Sequence, residues 1–264
     1  MFSKYYFVVL LLISYYCPGQ RWQAEVMVGV TGYRGDLTQH AVTFKSIGPA
    51  VNVNLKYEFD NLIILRGGIG FGKLSADDKN NKDRSLQRRN LNFKSNVIEG
   101  SLCVEFNLFD PEFYYNYPYV FTGIGVFHFN PYTNDNENNK TYLQPLGTEG
   151  QGLSEYPNRR VYKLTQFCLP IGGGWKMQLN QKWDIVYEMG YRFLTTDYLD
   201  DVSTTYADPQ TLLLKRGPKT VELAYRRELV PLPTNKEVKR GNPKVKDGYF
   251  FSGIKLLIDL SREQ

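Results

Sequence analysis

Histidine and cysteine are scarce in this sequence of 264 residues, which holds two of the first and three of the second. With no Cys-x-x-Cys pair and no His-rich tract, it encodes neither a recognisable zinc site nor a disulfide framework. Long apolar runs are missing as well. None reaches the roughly 18 residues that a membrane-crossing helix requires, which excludes a helical membrane protein. What the chain has instead is aromatic side chains, 16 Phe, 20 Tyr and 3 Trp, with 23 Gly and a mean hydropathy of −0.40. That is far from the aromatic-poor composition of a disordered tail.

Residues 1–19 carry Lys4, an apolar stretch from Tyr5 to Tyr16, and then Cys17-Pro18-Gly19, the order of a secretory signal peptide. The stretch is too short to span a bilayer, and Ser14-Tyr15-Tyr16 before Cys17 fits poorly the small-residue box that directs lipid attachment. Cleavage is expected before Gln20, leaving residues 20–264 as the folded part. Losing Lys4 changes 32 basic residues to 31 against 27 acids, a net charge of +4. Cys103 and Cys168 then remain, read as unpaired small residues inside strands.

The dominant pattern is alternation with period two, the mark of strands whose faces meet different surroundings. Val51, Val53, Leu55, Tyr57 and Phe59 share one face, opposite Asn52, Asn54, Lys56 and Glu58. Ile98, Leu102, Val104 and Phe106 oppose Glu99, Cys103, Glu105 and Asn107. Trp183, Ile185, Tyr187, Met189, Tyr191 and Phe193 oppose Asp184, Glu188 and Arg192. Phe250, Ile254, Leu256, Ile258 and Leu260 oppose Lys255 and Asp259. Four less regular segments, 25–33, 62–73, 118–130 and 161–179, bring the number of predicted strands to eight. No amphipathic helix is apparent in these segments, so the fold class is all-β, and a closed eight-stranded antiparallel barrel removes the exposed edges.

Alternation alone leaves open whether the apolar face points in, as in a soluble barrel, or out, as in a membrane one. Loop parity separates them. The first, third, fifth and seventh connections are long, ending with an outer loop at 195–248. Asp60-Asn61 and residues 179–182 mark tight turns, and 108–117 is of intermediate length. Outer-membrane barrels show this asymmetry, with short periplasmic turns, long extracellular loops and periplasmic termini. Aromatics near strand ends (Tyr57, Phe59, Phe106, Tyr119, Trp175, Trp183, Tyr191, Phe193) fit interfacial girdles. A transmembrane barrel must then turn Glu58, Arg66, Glu99, Glu105, Asp184, Glu188, Arg192, Lys255 and Asp259 inward. Eight strands enclose only enough room for side chains, so these groups are expected to form a packed ion-pair network and not a channel lining.

Chemistry is sparse. Neither His40, in the first outer loop, nor His128, in a strand with two apolar faces, stands in a nucleophile motif, and no enzyme activity or cofactor is expected. Asp197, Asp200 and Asp201 could offer oxygen ligands to calcium, though the spacing matches no EF-hand, and a solvated acidic loop is the plainer reading. The glycines at 67–72 and 172–174 lack the Lys-Ser/Thr of a phosphate loop and suit close packing in a narrow barrel. Residues 209–248 hold ten Lys and Arg against four acids, a net +6 that could meet anionic lipopolysaccharide or simply be solvated. Nucleic acid is not an expected partner outside the cell. In the turn at 108–117, Phe113, Tyr114 and Tyr115 stand beside Asp110 and Glu112. That composition suits either a partner-binding hot spot or a lower aromatic girdle.

Several stretches resemble the PorG-like family of Bacteroidetes outer-membrane barrels: Asn54-Leu-Lys-Tyr-Glu-Phe, Gly70-Phe-Gly-Lys-Leu-Ser-Ala-Asp-Asp78, Glu105-Phe-Asn-Leu-Phe109, Pro118-Tyr-Val-Phe-Thr-Gly-Ile-Gly-Val-Phe127, Asp197-Tyr-Leu-Asp-Asp-Val-Ser203 and Tyr249-Phe-Phe-Ser-Gly-Ile-Lys255. The similarity covers nearly all of residues 20–264 and rests on structural, not catalytic, motifs. It implies a non-enzymatic barrel that anchors or organises a type IX protein secretion assembly, linked to a periplasmic ring of PorK-like and PorN-like proteins. A small-solute pore or a surface-binding protein is the alternative. The chain ends Leu260-Ser-Arg-Glu-Gln264, without the terminal aromatic common in such barrels.

Overall fold

A computed structural model describes residues 21–38, 46–226 and 238–261. The expected signal peptide, His40, and Arg227, Glu228, Lys236 and Glu237 of the last loop lie outside the described residues. The strands in chain order are β1 (Arg21–Arg34), β2 (Ile47–Glu58), β3 (Ile63–Asp77), β4 (Asn92–Asn107), β5 (Asn116–His128), a short pair β6 (Tyr132–Asn134) and β7 (Lys140–Tyr142), then β8 (Thr165–Gln178), β9 (Trp183–Leu194) and β10 (Gly248–Asp259). The eight long strands form an antiparallel meander that closes where β10 pairs with β1. β6 continues the line of β5 beyond the barrel, setting Tyr132 opposite Lys94.

The register fixes the shape. Stepping across paired residues from Arg21 leads through Glu58, Ile64, Glu105, Phe121, Gly172, Gly190 and Phe251 to Thr31, an offset of 31 − 21 = 10 residues along β1. With eight strands, ordinary strand spacing and rise, that shear tilts the strands by about 41° from the barrel axis. The lumen is therefore too narrow for anything but side chains.

Polarity follows from the surroundings. Val28, Val53, Ile69, Ile98, Ile124, Phe167 and Ile254 face outward, each more than half exposed. They form a continuous apolar belt, with Trp22, Phe59, Phe106 and Trp175 near its lower edge. Such a surface is stable only against hydrocarbon. Higher up, the phase of the alternation inverts. β3 turns Lys73, Ser75 and Asp77 outward and buries Leu74 and Ala76, while β4 turns Asn92, Lys94 and Asn96 outward and buries Phe93 and Val97. Here the strands have left the bilayer and behave as a soluble barrel. Hydrophobic patterning at 62–73 and from 98 therefore stops short of the observed strand ends. Two further corrections apply: residues 161–164 precede β8, and Tyr119 points into the lumen, buried, instead of joining a girdle.

The glycines serve the interior. A Cβ at Gly190 would lie 2.5 Å from Phe121 Cζ, and one at Gly174 would lie 2.7 Å from Tyr119 Cε1. The bare backbone of β8 and β9 is what leaves room for these rings. Gly190→Leu should destabilise the barrel by about 1–3 kcal/mol through overpacking, seen as a lower temperature for losing the compact band on heat-modifiability gels. Combining it with Phe121→Ala should recover most of that loss. No recovery would mean that the ring is not what the glycine accommodates.

Candidate functional site

The interior divides into levels. At the mouth on the short-turn side lies a recess of about 330 Å³, lined by Arg21, Glu58, Asn107, Tyr117, Lys176 and Asp259 among others. Glu58 stands here, accepting a hydrogen bond from Gln23 Nε2 at 2.8 Å, apart from the central network that the alternation assigned it to. Asp184 also lines this recess.

Above it the strands bring seven charges together. Glu25 meets Lys56 at 2.6 Å and Lys255 at 2.7 Å. Arg66 meets Glu105 at 2.7 Å and Glu188 at 2.5 Å. Lys255 also reaches Glu188 at 2.6 Å, and Lys56 and Lys176 each approach Glu105 at 3.1 Å. Each of these side chains is almost completely buried. The Tyr119 hydroxyl donates to Glu188, and the Arg66 guanidinium lies 4.3 Å from the centre of the Phe121 ring. A second level, higher in the lumen, pairs Arg192 with Glu99 at 3.0 Å; the Tyr249 hydroxyl donates to Glu99 at 2.6 Å. Thus Arg66, Glu105, Glu188 and Lys255 share one network, while Glu99 and Arg192 form their own. Glu25 and Lys176 were not identified from the sequence. Glu25 is followed on the inner face of β1 by uncharged Met27, Gly29 and Thr31, and Lys176 follows the glycines that interrupt alternation in β8. Lys56 was visible on the polar face of β2 but not assigned to the network.

The outer loops close the barrel with a packed cap above an aromatic layer of Tyr33, Phe93, Phe127, Phe129 and Tyr162. Helices Pro209–Arg216 and Pro218–Ala224 pack there through Leu212, Leu223 and Ala224, so the last loop is not simply solvated. Three of its cations are engaged. Arg240 is buried against Glu149 at 3.1 Å, Arg216 donates to the carbonyl of Gln151, and Lys219 meets Asp135 at 2.9 Å. Lys215, Arg216, Lys239, Lys244 and Lys246 stay exposed, so part of the loop at 209–248 keeps a basic surface. The acidic run is not a solvated loop either. Asp197 accepts from Ser203, Asp200 from Tyr33, and Asp201 from Thr148 and Tyr162. Their carboxylates face separate partners, and no group of three or more His, Cys, Asp or Glu among the described residues is arranged to hold a metal ion. The calcium candidates Asp197, Asp200 and Asp201 are thus buried in the cap, each held by hydroxyl donors.

His128 faces outward, its Nδ1 3.1 Å from Thr165 Oγ1. At the other end, residues 108–115 form the widest of the short turns. Asp110 holds it, its side chain accepting from the Glu112 amide and Asn61 Nδ2 and its carbonyl from the amides of Phe113 and Tyr114. The turn leaves Phe113, Tyr114 and Tyr115 exposed by 77, 53 and 76%.

Burial pushes the carboxyl of Asp201 up to about 6 and that of Asp197 up to about 7. An acid whose pKa is raised on folding binds its proton more tightly in the folded state, so stability falls as pH rises from the unfolded value towards the folded one. The cap should be firmest near pH 4 and loosen progressively up to pH 7. Hydrogen exchange of residues 196–204, corrected for intrinsic rates, should show this loss of protection, and Asp197→Asn should flatten it. In the lumen, Arg66→Met leaves Glu105 and Glu188 short of a partner and should cost about 3–5 kcal/mol in urea unfolding from micelles.

Comparison with solved structures finds other small outer-membrane proteins. A major outer membrane protein from Thermus thermophilus matches with a TM-score of 0.46 and 12% identity, over 92% of this chain and 100% of that one. Ail, the attachment invasion locus protein of Yersinia pestis, crystallised with the heparin analogue sucrose octasulfate, matches at 0.42 and 10%, over 91% and 99%. Neisserial surface protein A gives 0.42 and 10%, over 91% and 96%. No protein with a curated description matches the sequence. The outward apolar belt, the closed sheet and the unequal loops make this an outer-membrane barrel on their own physical grounds. Residues 3–147, over half the chain, match one family model, and the protein belongs to that family, described as a domain of unknown function (DUF6089).

Proposed function

We propose that the protein is a non-enzymatic, non-conducting outer-membrane scaffold whose periplasmic turn engages a partner. The observation that carries this reading is the lumen. A solute path would have to break the Glu25, Lys56, Arg66, Glu105, Glu188 and Lys255 network, which has no slack around it. Separating such buried pairs leaves bare charges, each costing several kcal/mol. The resemblance to the PorG-like family supports naming the partner as the PorK-like and PorN-like periplasmic ring of a type IX secretion system, with the barrel as its outer-membrane anchor. Phe113, Tyr114 and Tyr115 are the contact residues in this reading: large rings, held out on a turn that Asp110 fixes, and thus ordered before binding. A surface-binding role is favoured by one feature, the packed cap, which is more ordered than passive loops require.

Deleting the gene separates the readings: loss of type IX cargo from the medium is expected. Normal secretion with altered solute uptake would favour a pore, and the purified protein in planar bilayers should show no unitary conductance steps. Replacing Phe113, Tyr114 and Tyr115 together by Ser should leave heat-modifiability intact and reduce co-purification with the ring by roughly tenfold or more, as for loss of a hot spot. Unchanged co-purification would make the turn a membrane girdle only.

A further inference from the structure

Where β3 and β4 leave the bilayer, the outward face becomes basic. Lys73 lies opposite Asn96, and Ser75 lies opposite Lys94, so the two lysines are diagonal neighbours, about 7 Å apart. The strip continues across the short hairpin. Tyr132 is paired with Lys94, Tyr142 is paired with Tyr132, and the Lys140 ammonium sits 4.1 and 4.7 Å from the centres of those two rings. Lys73, Lys94 and Lys140 are exposed and form no ion pair with an acid among the described residues. On the same face Asp77 is the nearest acid of β3, and Glu222 above it is paired with Lys219 at 3.1 Å.

Directly above opens a recess of about 760 Å³, whose lining includes Lys94, Asn92, Asn134 and Arg226. Among the described residues the half-buried Arg226 guanidinium donates to neutral acceptors, Thr133 Oγ1 at 3.0 Å and the Asn134 carbonyl, with Asp77 and Glu222 also on the recess wall. Asn90, which also lines the recess, has a buried Oδ1 with no partner among the described residues. Directly below are Phe71, Ile69, Ile98 and Leu102 of the lipid-facing belt. Phosphate-binding cations, aromatic and amide side chains, and an acyl-binding wall thus follow one another down a single face.

We propose that this face of β3, β4 and the β6–β7 hairpin docks a phosphorylated glycolipid of the outer leaflet. Its phosphates lie on Lys73, Lys94 and Lys140, its sugars rise into the recess beside Arg226, and its acyl chains run along Ile69, Ile98 and Leu102. Charge complementarity and continuity with the belt set the occupant. A soluble phosphosugar would use only the upper half.

The test is native mass spectrometry of the detergent-solubilised full chain with diphosphoryl lipid A as the probe. The native chain should carry one lipid preferentially over phosphatidylcholine. The variant Lys73→Gln, Lys94→Gln, Lys140→Gln alters only exposed side chains, so heat-modifiability should be unchanged, and lipid A binding should weaken by roughly tenfold or more. Lys244→Gln with Lys246→Gln, on the exposed part of the last loop, should leave binding as it was. The proposal is overturned if the triple variant binds like the native chain, or if the loop variant alone loses binding. It is equally overturned if the deacylated bisphosphorylated disaccharide competes as strongly as intact lipid A, because the acyl wall would then contribute nothing.

Discussion

Water has no place around a charge inside an eight-stranded barrel, and most of this molecule follows from that constraint. The outer face is given over to hydrocarbon, so polar side chains of the spanning strands have only the lumen to enter. A lumen set by eight strands and an offset of ten residues admits side chains and little else. Four cations, Lys56, Arg66, Lys176 and Lys255, must therefore find Glu25, Glu105 and Glu188 as direct partners. Aromatic rings fill what remains, and glycine backbone on β8 and β9 gives those rings their space. Buried ion pairs are poor evidence of added stability, since burial costs offset much of their attraction. Their consequence here is positional: each pair ties two strands at a fixed register, and a slip of either strand would separate the pairs it carries.

The same constraint explains which features were legible beforehand. Spanning strands alternate because lipid and lumen differ; the periods around Val51, Ile98, Trp183 and Ile254 carried the fold, and loop parity carried the inward direction of the charges and the orientation of the loops. Arg66 with Glu105 and Glu188 could be placed inside, but not paired with one another, because pairing depends on shear, and shear leaves no mark on a single strand. Glu25 was missed because its neighbours on that face, Met27, Gly29 and Thr31, are not charged. Lys176 was missed because Gly172 to Gly174 erase the alternation just before it. The ends of β3 and β4 were missed for another reason: crossing the membrane surface inverts the pattern, so Leu74 and Phe93 sit on the face that holds charges lower down.

The cap was beyond reach by local reasoning. Its contacts join residues far apart in the chain, Tyr33 with Asp200, Arg240 with Glu149, Arg89 with the carbonyl of Arg240. An acidic run followed by a basic loop reads locally as two solvated segments. Folded over the lumen, the acidic run is buried among hydroxyl donors and Arg240 is drawn in against Glu149 and Asp201, neither of which local sequence shows. Loops without periodicity carry no phase from which inside and outside can be assigned.

What the folded loops leave unneutralised then has meaning. Inside the lumen and the cap, almost every cation has a carboxylate or a hydrogen-bonding acceptor, because an unpaired charge there is costly. On the outer shoulder of β3 and β4 the rule lapses: Lys73, Lys94 and Lys140 stand together with no carboxylate paired to them among the described residues. Like charges side by side on one sheet face repel, and neutral residues there would fold as well. Their proximity to the belt puts them at the depth where lipid phosphates lie, so the membrane itself supplies the opposite charge. At the periplasmic end the exposed rings of Phe113 and Tyr115 are unmatched in the same sense, in apolar area and not in charge. A barrel whose central charges are paired with one another has chiefly its two rims with which to meet other molecules, one lipid-facing and basic, the other aromatic and turned to the periplasm.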